Sequence, residues 1–327
     1  MKKILPLLLL PLLLVSCSKA LDVEEPAERD LVLNAVPAAG RQAFVHFSYT
    51  RFFLDNNNDQ PVPGAQVHLS VNGVPLTLDS VVRCRYYFNR VLQEDDSLDI
   101  DILAAGRTVH ASTYVPLYPQ VSAFMSTYMA TPTFNFVLAA FNLTDHAGRD
   151  EYYNITVTER DSGARRNEWT GLLDTVDTVQ SAMLYVPGSE EITASDVAAY
   201  SPLGGRLMFL DRNIDGQKYP VRLMLLYRKD TTEVAPFKHE YTVEIESVTP
   251  ARFRYLLSAS SQGGMTSFFA EQGSVYGNVD GALGIFAGSA KRTYTFDLES
   301  LLPTTSSVPL PDVLSVFPQL DERTERE

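Results

Sequence analysis

The chain has 327 residues, of which 45% are hydrophobic, and a formal net charge of −13. That length and apolar share suffice for one large or two ordinary packed domains. The acidity disfavours nucleic acid as a partner and opposes docking on anionic lipid, because like charges repel.

Lys2 and Lys3 precede a run over residues 4–15 made almost wholly of Leu and broken by Pro6 and Pro11. The run is too short to span a bilayer as a helix and has the proportions of a secretory leader's apolar region. Ser16 and Cys17 close it, with no Ala-x-Ala cleavage site nearby. Leu14-Val15-Ser16-Cys17 resembles a lipobox, which implies that Cys17 is lipidated on sulfur and becomes the mature N-terminus. The alternative is a plain secretory leader with an incidental cysteine. Buried acyl CH₂ groups contribute about 0.8 kcal/mol each, so two or three chains anchor stably. Loss of Lys2 and Lys3 with the leader makes the remainder more acidic still. Asp22, Glu24 and Glu25 follow closely. This acidic stretch resembles the signal that carries Bacteroidota lipoproteins to the outer face of the outer membrane. It also serves as a solvated tether.

Beyond the tether, helical periodicity is scarce and alternation is common. Residues 44–50, 66–71, 98–102 and 108–115 read as strands, and Asn72-Gly73 supplies a type I′ turn into residues 74–78. Short strands at this spacing point to an immunoglobulin-like β-sandwich. Pro116 and Pro119 mark its end. A larger β-rich domain follows. Residues 133–143 and 152–159 read as strands joined by residues 144–149. Residues 206–211 and 219–227 read as a hairpin, and residues 240–248 as a further strand. Thr249-Pro250 is a helix start, with Thr as N-cap and Pro at the first position. Phe253, Leu256, Leu257 and Ser260 keep helical spacing, so one short helix is expected over residues 250–261, stopped by Gly263-Gly264. Residues 161–203 read as irregular, with a possible helical turn over 195–200. The expected organisation is a leader (1–16), a tether (17–24), a β-sandwich (25–115), a β-rich domain (116–299) and a Pro-rich, charged tail (300–327).

Chemical signatures are sparse. Asp211-Arg212-Asn213-Ile214-Asp215-Gly216 matches the first half of a calcium loop, with Asp211, Asn213 and Asp215 as candidate ligands. The twelfth position, where a bidentate Glu belongs, is Arg222. Strands rather than helices flank the loop, so a turn between strands is the preferred reading. Asp55 to Asp59 is oxygen-rich and reads as an exposed loop. His46, His68, His110, His146 and His239 are scattered, and none pairs with another at metal-ligand spacing. Cys84 is the cysteine left after lipidation. It sits in Arg83-Cys84-Arg85 without a local His partner and reads as a packed thiol rather than a nucleophile. No serine-hydrolase elbow, phosphate loop or dinucleotide fingerprint occurs. Glu94, Asp95, Asp96, Asp99, Asp101, Glu190 and Glu191 offer carboxylates, but glycosidases need two at a set distance across a cleft. Trp169 and the Tyr-rich strands suit sugar stacking. Tyr is also favoured on any half-buried sheet face. No cofactor is expected.

Five segments carry a resemblance to a family of uncharacterised Bacteroidota outer-membrane lipoproteins, domain of unknown function 4249. They are residues 63–69 (Pro-Gly-Ala-Gln-Val-His-Leu), residues 111–116 (Ala-Ser-Thr-Tyr-Val-Pro), residues 150–155, residues 209–219 and residues 278–286. Glu151 departs from the family's usual Asn, and Ala282 from a Gly. The likeness runs from about Leu31 to about Phe296. It implies an exterior-facing lipoprotein held in the outer membrane by its lipid. It also implies a TonB-dependent outer-membrane receptor as partner, and it carries no catalytic residues. The expected role is thus non-catalytic: an accessory or ligand-binding component of a nutrient transporter. The alternatives are a hydrolase of extracellular polymer and a structural or adhesive surface lipoprotein. Gly277, Gly281 and Gly284 are expected at tight turns or close packing.

Overall fold

Alternating apolar positions turn into two stacked pairs of sheets. The computed structural model describes residues 29–51, 60–130, 135–186, 197–201, 204–212, 214–227, 230–260 and 274–301. The leader, Cys17, the tether, Gly263-Gly264 and residues 302–327 lie outside them.

The first sandwich has one sheet of β1 (Leu31–Ala35), β2 (Gln42–Tyr49), β5 (Leu78–Val82), β6 (Arg85–Val91) and β18 (Leu283–Phe286), in the order β18-β1-β2-β6-β5. The facing sheet has β3 (Gln66–Val71), β4 (Val74–Pro75), β7 (Ser97–Ala104) and β8 (Arg107–Tyr114), in the order β4-β3-β7-β8. Register follows the alternation. Val67, Leu69 and Val71 pair with Ile102, Ile100 and Leu98, and all six are buried. Phe47 and Phe88 complete this core. Each such ring contributes about 1.5–3 kcal/mol on burial. Asn72 and Gly73 both have positive φ, as the I′ turn requires.

The return of β18 to β1 is parallel, and it places residues 283–286 of the expected second domain in the first sandwich. Local pattern cannot reveal such a pairing, because parallel strands need a long crossover. Close packing makes it possible. A Cβ at Gly284 would lie 2.1 Å from the Leu33 carbonyl oxygen, and one at Gly288 1.8 Å from that of Tyr114. The family-type glycines therefore act by close approach.

The second sandwich faces the sheet β13-β16-β10-β9 against β14-β15-β11-β17-β19. The first of these holds β9 (Gln120–Ala130), β10 (Asn135–Thr144), β13 (Leu184–Tyr185) and β16 (Lys218–Tyr227). The second holds β11 (Tyr152–Arg166), β14 (Val197–Ser201), β15 (Arg206–Leu210), β17 (Glu233–Val248) and β19 (Ser289–Asp297). The core between them includes Phe141, Tyr153, Phe209, Leu223, Tyr241 and Ile245. Three expectations need correction. The segment 206–227 is not a hairpin: β15 pairs with β11 and β16 with β10, so residues 211–217 cross between sheets. Residues 144–151 make the matching crossing. Much of the described part of the stretch expected to be irregular is also strand, because β11 runs on to Arg166 and pairs with β12 (Leu173–Ser181). Its exposed, polar alternation lacks the apolar row that marks a half-buried strand. Lastly, Val197–Ser201 is strand rather than a helical turn.

The expected helix is α1 (Pro250–Ser260). The Thr249 hydroxyl accepts the Arg252 amide at 3.4 Å, and its carbonyl accepts that of Phe253 at 3.0 Å. Phe253 and Leu256 pack on Met208 and Val248. A four-residue helix, α2 (Leu298–Leu301), is additional and buries Leu298.

Candidate functional site

The long strands β11 and β17 outrun the apolar core, and their inward-facing rows change character where they do. On β11 the inward positions Tyr153, Ile155 and Val157 are followed at the same parity by Glu159 and Asp161. On β17 the row Ile245, Val243 and Tyr241 is followed by His239. Antiparallel register sets Glu159 opposite Tyr241 and Asp161 opposite His239. Side chains at i and i+2 share a face, and directly opposed residues lie about 5 Å apart at Cβ, so these four form one patch. A bulge at Gly163 then turns β11, and Arg165 folds back over the patch with its guanidinium 4.9 Å from the Phe237 ring centre.

The His239 side chain is 6% exposed and its ring is engaged at both nitrogens. Nδ1 lies 2.8 Å from Asp161 Oδ1 and 3.5 Å from Glu159 Oε1, and Nε2 lies 3.3 Å from Glu233. The ring sits between Tyr227 and Phe237. Burial alone would depress its pKa. Hydrogen bonds to Glu159 and Asp161 and the charge of Glu233 outweigh that and hold it at about 9. It is therefore an imidazolium at neutral pH. Tyr241 donates to Glu159 Oε1 at 2.8 Å, and Arg165 Nη2 to Asp161 Oδ2 at 2.9 Å. Burial, then the Glu159 charge, pushes the Tyr241 pKa upward. An open cavity of about 480 Å³ lies over the patch, where Glu159, Asp161, Asp230 and Glu233 face Arg165 and His239. Carboxylates outnumber cations there, so the cavity favours a positively charged occupant.

A second polar cluster lies where the two sheet crossings meet. Asp145 Oδ2 accepts the Gly216 amide at 2.9 Å, Asp215 Oδ1 that of Gly148 at 2.7 Å, and Asp211 Oδ2 that of Glu151 at 2.6 Å. Asp211 and Asp215, the candidate calcium ligands of the loop preferred as a turn, thus join Asp145 in clasping the two crossings together through backbone amides; Asn213 lies outside the described residues. Tyr153 bridges Asp145 and Glu151. Burial raises the Asp145 pKa against hydrogen bonds from Gly216 and Tyr153, and the adjacent Glu151 adds to the rise, to about 7. Burial also raises the Asp211 pKa. Beside this cluster a cavity of about 410 Å³ opens between the sandwiches, lined by Tyr114, Tyr152 and Asp150 among others.

The β11–β12 hairpin forms a third feature. Asn167 Oδ1 accepts the amides of Trp169 and Thr170 at 3.0 and 3.1 Å, which fixes the turn. Trp169, read as a candidate stacking residue, stands 96% exposed on that tip, with Leu172 and Leu173 exposed beside it and Val179 exposed farther along β12.

Of the residues singled out in the sequence, Cys17 lies outside the described residues. Cys84 is buried, as a packed thiol would be. His110 pairs with Asp101 on an exposed face, and His146 with Glu151. The His239 group escaped spacing rules because its members come from strands 78 residues apart. Their signal was parity: acids and a histidine at core-facing positions.

Residues 19–295 match the family described as Domain of unknown function (DUF4249). The chain belongs to this family. No curated protein matches this family member in sequence. Among solved structures, the collagen adhesin (CNA) from S. aureus is 10% identical, with a TM-score of 0.19, over 82% of this chain and 93% of that one. The Enterococcus faecalis MSCRAMM ACE is 8% identical, with a TM-score of 0.20, over 84% and 94%. The collagen binding domain of Erysipelothrix rhusiopathiae surface protein RspB is 10% identical, with a TM-score of 0.19, over 81% and 96%. At such scores the likeness carries no weight for ligand or partner. Among the described residues, no helix is long and apolar enough to cross a membrane.

Proposed function

We propose that this DUF4249 protein is a lipoprotein of the outer membrane, anchored through Cys17 with its sandwiches facing the cell exterior. In this reading it serves without catalysis as an accessory or ligand-binding component of a TonB-dependent nutrient transporter. The observation that carries a partner-binding role is the hairpin tip. Trp169 at 96% exposure, with the exposed Leu172 and Leu173 next to it at the tip, presents apolar side chains that water alone does not favour. Trp is prominent among residues that anchor protein interfaces. A lipid anchor confines the protein to the plane of a barrel, so even a weak docking contact gains effective concentration. The choice of a TonB-dependent receptor rests on the resemblance of the family to lipoproteins encoded beside such receptors.

The state of His239 argues against its serving as a general base. A general base needs a free ring nitrogen near its working pH. Here Nδ1 faces Asp161 and Nε2 faces Glu233, and the ring keeps its proton.

The test is affinity purification of the lipidated protein from outer membranes in mild detergent, with the neighbouring receptor gene expressed. Co-recovery of the barrel, lost in Trp169→Ala, is the expected result. Recovery of the wild-type protein without a barrel contradicts the proposal.

A further inference from the structure

Glu159, Asp161 and His239 each offer a ligand atom, and these atoms lie within 4.8 Å of one another. From the convergence of these three donors under an open cavity, we propose that the β11–β17 patch is a binding site for a divalent transition-metal ion of the zinc class. The inference stands apart from any transport role.

Three features carry it. First, the spacing is close to that of a zinc site. Zinc holds imidazole nitrogen and carboxylate oxygen at about 2.0–2.2 Å, which sets neighbouring ligand atoms about 3–3.5 Å apart. His239 Nδ1 lies 2.8 Å from Asp161 Oδ1 and 3.5 Å from Glu159 Oε1, a gap now bridged by a proton. A metal ion taking that proton's place needs the closer pair to part slightly.

Second, the outer partners of a metal site are already present. Metal-bound histidines hand their other ring N–H to a carboxylate, and ligating carboxylates are themselves hydrogen-bonded. His239 Nε2 faces Glu233 at 3.3 Å. Tyr241 steadies Glu159 and Arg165 steadies Asp161, each leaving the carboxylate able to ligate. The Glu299 carboxylate takes the His239 backbone amide at 3.1 Å and pins the strand.

Third, charge and access agree. The cavity holds four carboxylates against Arg165 and His239, and an ion taking the His239 proton's place meets that surplus of negative charge. Its open side leaves room for water or an exogenous ligand on the metal. One imidazole with two carboxylates, and no thiolate, suits zinc or manganese rather than copper(I).

The experiment uses the full-length chain, purified in detergent, stripped with chelator and dialysed against Zn²⁺. One zinc per chain is expected by elemental analysis. X-ray absorption of the loaded wild-type protein should show a single imidazole with oxygen donors. His239→Ala should abolish binding. Glu233→Gln, which keeps all three ligands, should weaken it about 10- to 100-fold. His110→Ala, on an exposed face of the first sandwich, should change nothing. Failure of the wild-type protein to retain zinc overturns the proposal. So does binding that survives His239→Ala, or an absorption spectrum without imidazole. If His239→Ala does not fold, the wild-type spectrum and Glu233→Gln still decide.

Discussion

The two sandwiches share an architecture and differ in what they bury. Among the described residues, the first encloses aliphatic and aromatic side chains and a single buried charge, Asp96. That carboxylate caps the Gln93 amide and meets Arg90 and Asn72, which is turn construction. The second buries Asp145, Glu151, Asp161, Asp211, His239 and Glu246. Buried charge is costly unless paired, so a fold that needed only stability would not concentrate it. The first sandwich is thus the scaffold, and the second carries the groups with chemistry at the two ends of its core.

The contrast can be broken by mutation. The largest effect is expected in the second sandwich. Asp161→Ala takes the nearest carboxylate from the His239 imidazolium and a partner from Arg165, and chemical denaturation should show a loss of about 3–5 kcal/mol. Gly288→Ala should destabilise the first sandwich by about 3 kcal/mol, because its Cβ would meet the Tyr114 carbonyl oxygen at 1.8 Å. Equal sensitivity of the two sandwiches to removal of a buried charge would erase the distinction.

The pH dependence sharpens it. Asp145 holds its proton to about pH 7, above its ordinary 3.8, so its stabilising contribution is full in acid and is lost as pH rises towards 7. His239 contributes fully below about 6.5 and loses that contribution as pH rises through about 9. Thermal unfolding should therefore show Tm falling by roughly 5 °C between about pH 7 and 9.5, with His239→Gln flattening that slope. A Tm that climbs over this range contradicts the His239 assignment. The smallest effect is expected at the hairpin. Trp169→Ala should leave stability within about 0.5 kcal/mol, since the side chain touches solvent.

How much of this was legible follows the range of the interaction. Alternation reveals Val67, Leu69 and Val71, and local capping reveals Thr249-Pro250, because those signals lie within a few residues. The β1–β18 pairing joins residues about 250 apart and leaves no local trace. The pair 206–227 looked like a hairpin because turn chemistry is the same whether a loop stays in one sheet or crosses to another. Asp211 and Asp215 entered as candidate metal ligands beside the preferred turn reading because backbone clasps use the same oxygens. The His239 group was written as a change of residue type at constant parity, Val157 to Glu159 to Asp161. It becomes readable only when the strand is known to continue.

The most direct test of the central claim, that β11–β17 register gathers Glu159, Asp161 and His239 into one coupled group, is a histidine-resolved NMR titration of metal-stripped protein. His239 should stay protonated through pH 8 and titrate near 9, and Asp161→Asn should lower that value. A His239 resonance that titrates at the ordinary value of 6.5, unmoved by Asp161→Asn, would contradict it.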